Sequence, residues 1–127
     1  MELLYEYAVV RVVPKVEREE FVNAGVILFC KKTGFLDCKF SLLENKLKCF
    51  DPNVDLEQIR RNLEAFERIA RGKDANSTIS KLPAPERFRW LTATRSTIIQ
   101  CSKVHPGFAQ NESSALDHLM QRFFAEE

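Results

Sequence analysis

The sequence predicts an α+β fold: an antiparallel sheet of about four strands with two main helices packed mostly on one face, in a single domain over residues 1–127. Three observations carry this. Leu3 to Val13 is a long Val- and Tyr-rich run with strand alternation. Two apolar runs flank Lys32-Thr33-Gly34, a hairpin loop by composition. Leu56, Ile59, Leu63, Phe66 and Ala70 then repeat at helical spacing, as do Ala115-Leu116, Leu119-Met120 and Phe123. Strands come first and helices mainly later, the arrangement of an α+β chain.

In the first strand, Tyr5, Tyr7, Val9, Arg11 and Val13 share one face, and Glu6, Ala8, Val10 and Val12 the other. Arg11 stands in an apolar row, which calls for a carboxylate partner or an open edge. Pro14 ends the strand. Glu17, Arg18, Glu19 and Glu20 make a charged connection, able either to stay solvated or to face Arg11 or Arg95. The hairpin joins Ala24–Lys31 to Phe35–Leu42. A three-residue loop sets Ala24, Val26, Leu28 and Cys30 against Leu42, Phe40, Cys38 and Leu36. The other row, with Ile27 and Phe29, is left partly apolar, to be covered by residues 73–91 or by a second subunit, so a homodimer is one expectation.

Glu44 to Asn53 reads as a linker with turn signals at Asp51-Pro52-Asn53. Asp55 and Gln58 form a capping box for the helix that Gly72 stops. Its outer face pairs Glu57 with Arg61, Arg60 with Glu64, Glu64 with Arg68 and Glu67 with Arg71, which marks a solvated surface. Pro85 opens a short helix to Leu91, Ser96–Ser102 is a strand, and Val104–Asn111 is a turn around His105-Pro106-Gly107. Asn111 caps the final helix.

Composition narrows the function classes. Of 127 residues, 45% are apolar and 29% charged, with a formal net charge of +1. One modest core fits this length, and the balance gives no basic face for bulk nucleic acid. The run MELLYEYAVV lacks the pattern of a signal peptide, and nothing approaches a membrane span, so a cytoplasmic protein off the membrane is expected. Cys30, Cys38, Cys49 and Cys101 match no zinc spacing, so no metal and no cofactor is assigned, and buried reduced thiols are expected. The ten Phe residues suggest a ring-filled core.

Polar chemistry concentrates between Pro85 and Gly107, which holds Arg87, Arg89, Trp90, Arg95, Ser96, Thr97 and His105. Arginines with neighbouring hydroxyls suit a phosphate or carboxylate. Ser96 and His105 lie roughly 25–30 Å apart along an extended strand, too far for a nucleophile and its base. Cys101 with His105 has no evident orienting group. Trp90 suits a core anchor, and salt bridges to Glu17, Glu19 or Glu86 would absorb the arginines.

YEYAVVRVVPKVEREEFVNAGVILFC followed by FRWLTATRSTIIQCSKVHPG resembles the bacterial family of unknown function designated DUF3037. The matching positions are Tyr5, Tyr7, Arg11, Glu17, Arg18, Glu20, Asn23 and Gly25, then Arg89, Trp90, Arg95, Ser96, Thr97 and His105. The resemblance implies a compact cytoplasmic protein with a protein partner, a HipA-like kinase encoded nearby. Two classes of function follow: a binding module that docks on such a partner, or an enzyme or receptor that grips a phosphate or carboxylate with the Arg/Ser/Thr cluster of residues 87–97. The ligand-binding candidates are Arg11, Glu17, Arg18, Asn23, Arg89, Trp90, Arg95, Ser96, Thr97 and His105.

Overall fold

The structure, a computed structural model, describes residues 2–93 and 97–124. Strand β1 (Leu3–Val12) is central. On one side it pairs with β2 (Val22–Cys30), which pairs in turn with β3 (Phe35–Phe40). On the other side β4 (Ile99–Cys101) and β5 (His105–Ala109) share its edge, and every pairing is antiparallel. The helices are α1 (Glu44–Phe50), α2 (Leu56–Ala70), α3 (Ala84–Thr92) and α4 (Glu112–Phe124). The α+β class and the antiparallel sheet are those expected.

The alternation of β1 builds two cores. Ala8, Val10 and Val12 join Ile27, Phe29, Leu36 and Cys38 beneath Leu47 of α1, Ile59 and Leu63 of α2, and Phe88 and Leu91 of α3. The opposite face places Tyr5, Tyr7, Val26 and Leu28 against Ala115, Leu116 and Leu119 of α4. The two main helices, α2 and α4, therefore lie on opposite faces. Residues 73–91 do cover Phe29, through Phe88, whose ring stacks on it at 5.3 Å. Tyr5 and Tyr7 are covered by α4 from the same chain.

The hairpin register differs from the expected one. Its loop has four residues, Lys31 to Gly34, closed by the Gly34 N–H donating to the Cys30 carbonyl at 2.9 Å. Gly34 takes φ +77°, a left-handed turn position that suits glycine. Ile27 then faces Cys38, and Phe29 faces Leu36. A one-residue slip exchanges the faces of a strand, and both faces here are apolar, so patterning could not choose between registers. Cys30 and Cys38 consequently point to opposite faces. A bulge at Ala24 lets Val10 face Gly25 while Arg11 faces Asn23. A Cβ at Gly25 would lie 2.2 Å from the Lys39 carbonyl oxygen, so only glycine fits that crossing.

Two other segments differ from expectation. Glu44–Phe50 is a helix rather than a linker, anchored by the fully buried Leu47 and by the ion pair of Glu44 with Arg60 at 2.5 Å. His105–Ala109 is an edge strand rather than a turn. Pro106 is tolerated on an edge, and Gly107 is required because a Cβ there would lie 2.4 Å from the Tyr5 ring. Cys101 faces Val10 while His105 faces Tyr7, so β4 and β5 are one edge strand broken by a bulge at residues 102–104. Buried Ser102 repairs the ladder: its N–H donates to the Val9 carbonyl and its hydroxyl accepts from the Val9 N–H, both at 2.8 Å.

The helix ends follow their signals. The Asp55 carboxylate accepts from the Gln58 N–H at 3.0 Å, and Asn111 caps α4 through the Ser114 N–H at 2.9 Å. Gly72, at φ +69°, follows the C-cap of α2. Of the expected helix pairs, Glu57–Arg61 and Glu67–Arg71 form, whereas Arg60 turns to Glu44 and Arg68 to Asp74. Lys39 ties β3 to Asp117 of α4.

Candidate functional site

The candidate residues fall into three separate places. Past the end of α3, Trp90 and Thr97 line a hollow of about 380 Å³ with Asn62, Phe66 and Ile69 of α2. Thr97 donates its hydroxyl to the Ile99 carbonyl at 2.6 Å, which leaves it engaged in its own turn. Arg87 leans away, donating to the Leu82 carbonyl at 2.6 Å and to the last carbonyl of α2, Ala70, at 3.4 Å. A guanidinium there offsets the negative end of the helix dipole. Arg89 is exposed. Arg95 and Ser96 lie outside the described residues. Among the described residues, then, the late arginines do not converge on this hollow.

His105 stands at the far end of the β4–β5 edge, exposed, its ring 5.5 Å from that of Tyr7. Around Tyr5 and Tyr7 the rings are tilted at 6.1 Å, and burial followed by the neighbouring Tyr7 pushes the Tyr5 hydroxyl up from its ordinary pKa. Cys101 donates its thiol to the Leu91 carbonyl at 3.5 Å. Glu17 and Arg18 belong to a short 3-10 turn, Val16–Arg18, where Arg18 pairs with Glu20 at 2.7 Å. That segment is a solvated connection.

The third place joins Arg11 and Asn23, cross-strand partners on the α4 face beyond the end of that helix's core contacts. Of the two expectations for Arg11, a carboxylate partner or an open edge, no carboxylate pairs with it among the described residues. Instead the guanidinium lies over the Phe21 ring, 4.0 Å from its centroid, a cation–π contact on a half-buried group. The Arg11 Nε and the Asn23 Oδ1 are both buried, and neither has a hydrogen-bond partner. Phe21 and Asn23 line a hollow of about 450 Å³, walled by Leu43 and Phe50 around α1 and by Phe123 and Phe124 at the end of α4. A buried donor and a buried acceptor left unmade each cost about 1–3 kcal/mol, and here the two stand on directly opposed residues of β1 and β2.

Sequence reasoning identified Arg11 and Asn23 but not the rings around them. Phe21 and Phe50 are exposed rather than core. The ring-filled core expected from the ten Phe is therefore only partly formed: Phe29 and Phe88 are buried, whereas Phe21, Phe50 and Phe108 are exposed.

Among the described residues no cluster of His, Cys, Asp or Glu has the arrangement of a metal site. No helix is long and apolar enough to cross a membrane. The chain belongs to the DUF3037 family, whose model, described as a protein of unknown function, matches residues 7–124. No curated protein and no solved structure matches it.

Proposed function

We propose that this DUF3037 member is a binding module that docks on a protein partner through an uncovered corner of its sheet. The supporting observation is the pair Leu4 and Phe108, cross-strand neighbours that are 54% and 65% exposed. By the alternation of β1 they share the face of Ala8 and Val10, beyond the reach of the helices that cover those residues. Exposed Glu6 follows Leu4 on that face and exposed Glu2 lies just before the strand, neither with an ion pair among the described residues.

An apolar pair framed by carboxylates suits a partner segment with an apolar side chain flanked by Lys or Arg. A second copy of this chain suits it poorly. A two-fold contact would set like carboxylates together. The HipA-like kinase suggested by the family resemblance is the partner to test, in the cytoplasm of a bacterial host. The alternative of an anion site in residues 87–97 has less support, because Arg87 is engaged by carbonyls.

Co-expression of this chain with a HipA-like kinase from the same host should give a complex that survives gel filtration at micromolar concentration. Phe108→Asp should abolish it, and Trp90→Ala, grouped with Ile99 at the opposite end of β1, should not. Separation of the wild-type proteins would overturn the partner reading. Equal binding by Phe108→Asp would overturn the surface.

A further inference from the structure

We infer that the corner around Leu4 and Phe108 receives an amphipathic helix of the partner, laid across β1 and β5, with Lys or Arg on both flanks of its apolar stripe. This rests on the binding-module reading above and gives the bound segment a shape and a charge pattern. The corner exists because β1 outruns one of its neighbours. β1 pairs with β2 only from Glu6 to Val12, whereas it pairs with β5 from Leu3 to Tyr7. Leu3–Tyr5 and Gly107–Ala109 are thus a two-stranded ribbon that extends past β2. On one face of that ribbon, Tyr5 and Ala109 pack with α4. By alternation Leu4 and Phe108 take the other face, where neither joins a core.

An added strand fits this ribbon poorly. β5 pairs only with β1, but its outer edge contains Pro106, and a proline in an edge strand turns its donorless nitrogen outward. On the other side β1 is free of β2 over Leu3–Tyr5 alone, about half a typical strand. A helix fits on three counts. Helices cover the rest of this face, and α3 touches β2, β3 and β4, so it lies across the strands. Its Phe88 stacks on Phe29, the cross-strand partner of Glu6, so a helix over Leu4 continues the same layer one repeat farther along β1. Cross-strand side chains stand ~5 Å apart, close to the rise of about 4.5–6 Å between helix residues i and i+3 or i+4. Successive stripe residues can therefore seat on Phe108 and Leu4. Finally, Glu2 and Glu6 lie about 13 Å apart along the chain at ~3.3 Å per residue, enough to bracket a helix about 10–12 Å wide. Both are exposed and without an ion pair among the described residues, so a cation on each flank of the stripe finds a carboxylate.

A benzophenone side chain introduced at Leu4 and irradiated in the complex with a HipA-like kinase from the same host reads the segment that docks. It should cross-link to a helix of the kinase that carries Lys or Arg on both sides of an apolar stripe. Glu6→Lys should weaken the complex by ~10-fold, and a compensating change of the facing Lys or Arg of the kinase to Glu should restore it. Pro106→Val, which returns an N–H to the edge, should leave the affinity unchanged. The inference is overturned if the cross-linked segment is extended or lacks basic residues, if Glu6→Lys binds as the wild type does, or if Pro106→Val tightens binding as strand addition would require. Wild-type proteins that fail to associate overturn the binding-module reading and this inference with it. A complex that forms and is lost in Phe108→Asp, yet cross-links through an extended or acidic segment, overturns this inference alone. The cross-link is read on a chain altered only at residue 4, so a charge variant that fails to fold does not shield the inference.

Discussion

The two faces of the sheet are closed to different extents, and one arginine on each shows the consequence. Three helices cover the face of Ala8 and Val10, whereas α4 alone covers that of Tyr7 and Leu28. On the three-helix side, both terminal nitrogens of Arg87 donate to carbonyls, one of them the last of α2. On the α4 side, Arg11 has only a ring beneath it. Both leave Nε unpaired, yet only Arg11 does so without other hydrogen bonds recorded to its guanidinium. A cation built into the fold is used up by the fold. One left at the margin of a thinner layer keeps bonding capacity for something else.

The largest expected effect measures the closure itself. Phe88 is buried and stacked on Phe29, so Phe88→Ala should cost ~3–5 kcal/mol in urea unfolding. Phe123 is only partly buried at the open end of the other core, and Phe123→Ala should cost less than half as much. Equal losses would mean that the α4 face is as tightly closed as its counterpart, and the comparison would fail.

The arginines offer an intermediate test. Arg87→Met removes two donors from buried or partly buried carbonyls and should lower stability by ~1–3 kcal/mol. Arg11→Met keeps apolar contact with Phe21 and relieves an unpaired buried Nε, so it should change stability by less than ~0.5 kcal/mol or raise it. A large loss from Arg11→Met would mean that the fold uses Arg11 as fully as Arg87, and the contrast between the two would fail.

How much of this was legible in the sequence depended on whether the signal was local. Asp55, Gly72 and Asn111 act on neighbouring backbone, and each ends or begins its helix as expected. The hairpin register was ambiguous because Val26 and Leu28 are as apolar as Ile27 and Phe29, and each pair has its own core. The His105-Pro106-Gly107 run looked like a turn because the reason for its glycine, the Tyr5 ring, lies across the sheet. The site was legible in part. Arg11 stood out as a charge in an apolar row, but nothing local revealed that its neighbour would be Phe21 and not a glutamate.

Thiols give the finest probe of the same contrast. Cys38 is buried beneath α2, and burial, reinforced by the adjacent Asp37, pushes its pKa far above the ordinary 9.0. Cys49 is exposed and lines the hollow at the open side. Iodoacetamide should therefore label Cys49 in the native protein and Cys38 only after unfolding. The raised pKa also fixes a sign. Below pH 9 the Cys38 thiol is protonated in both states and its contribution is fully present. Above it the unfolded chain loses that proton while the folded chain keeps it, so stability falls as pH rises toward the elevated folded value. One proton sets the limit at ~1.4 kcal/mol per pH unit, and half a unit above 9.0 the loss is under ~1 kcal/mol. Comparing wild type with Cys38→Ala between pH 8 and 9.5 should show a steeper alkaline decline in the wild type. Parallel curves, or rapid native labelling of Cys38, would mean that the three-helix layer opens as readily as the margin around Cys49, and the difference between the faces would lose its physical basis.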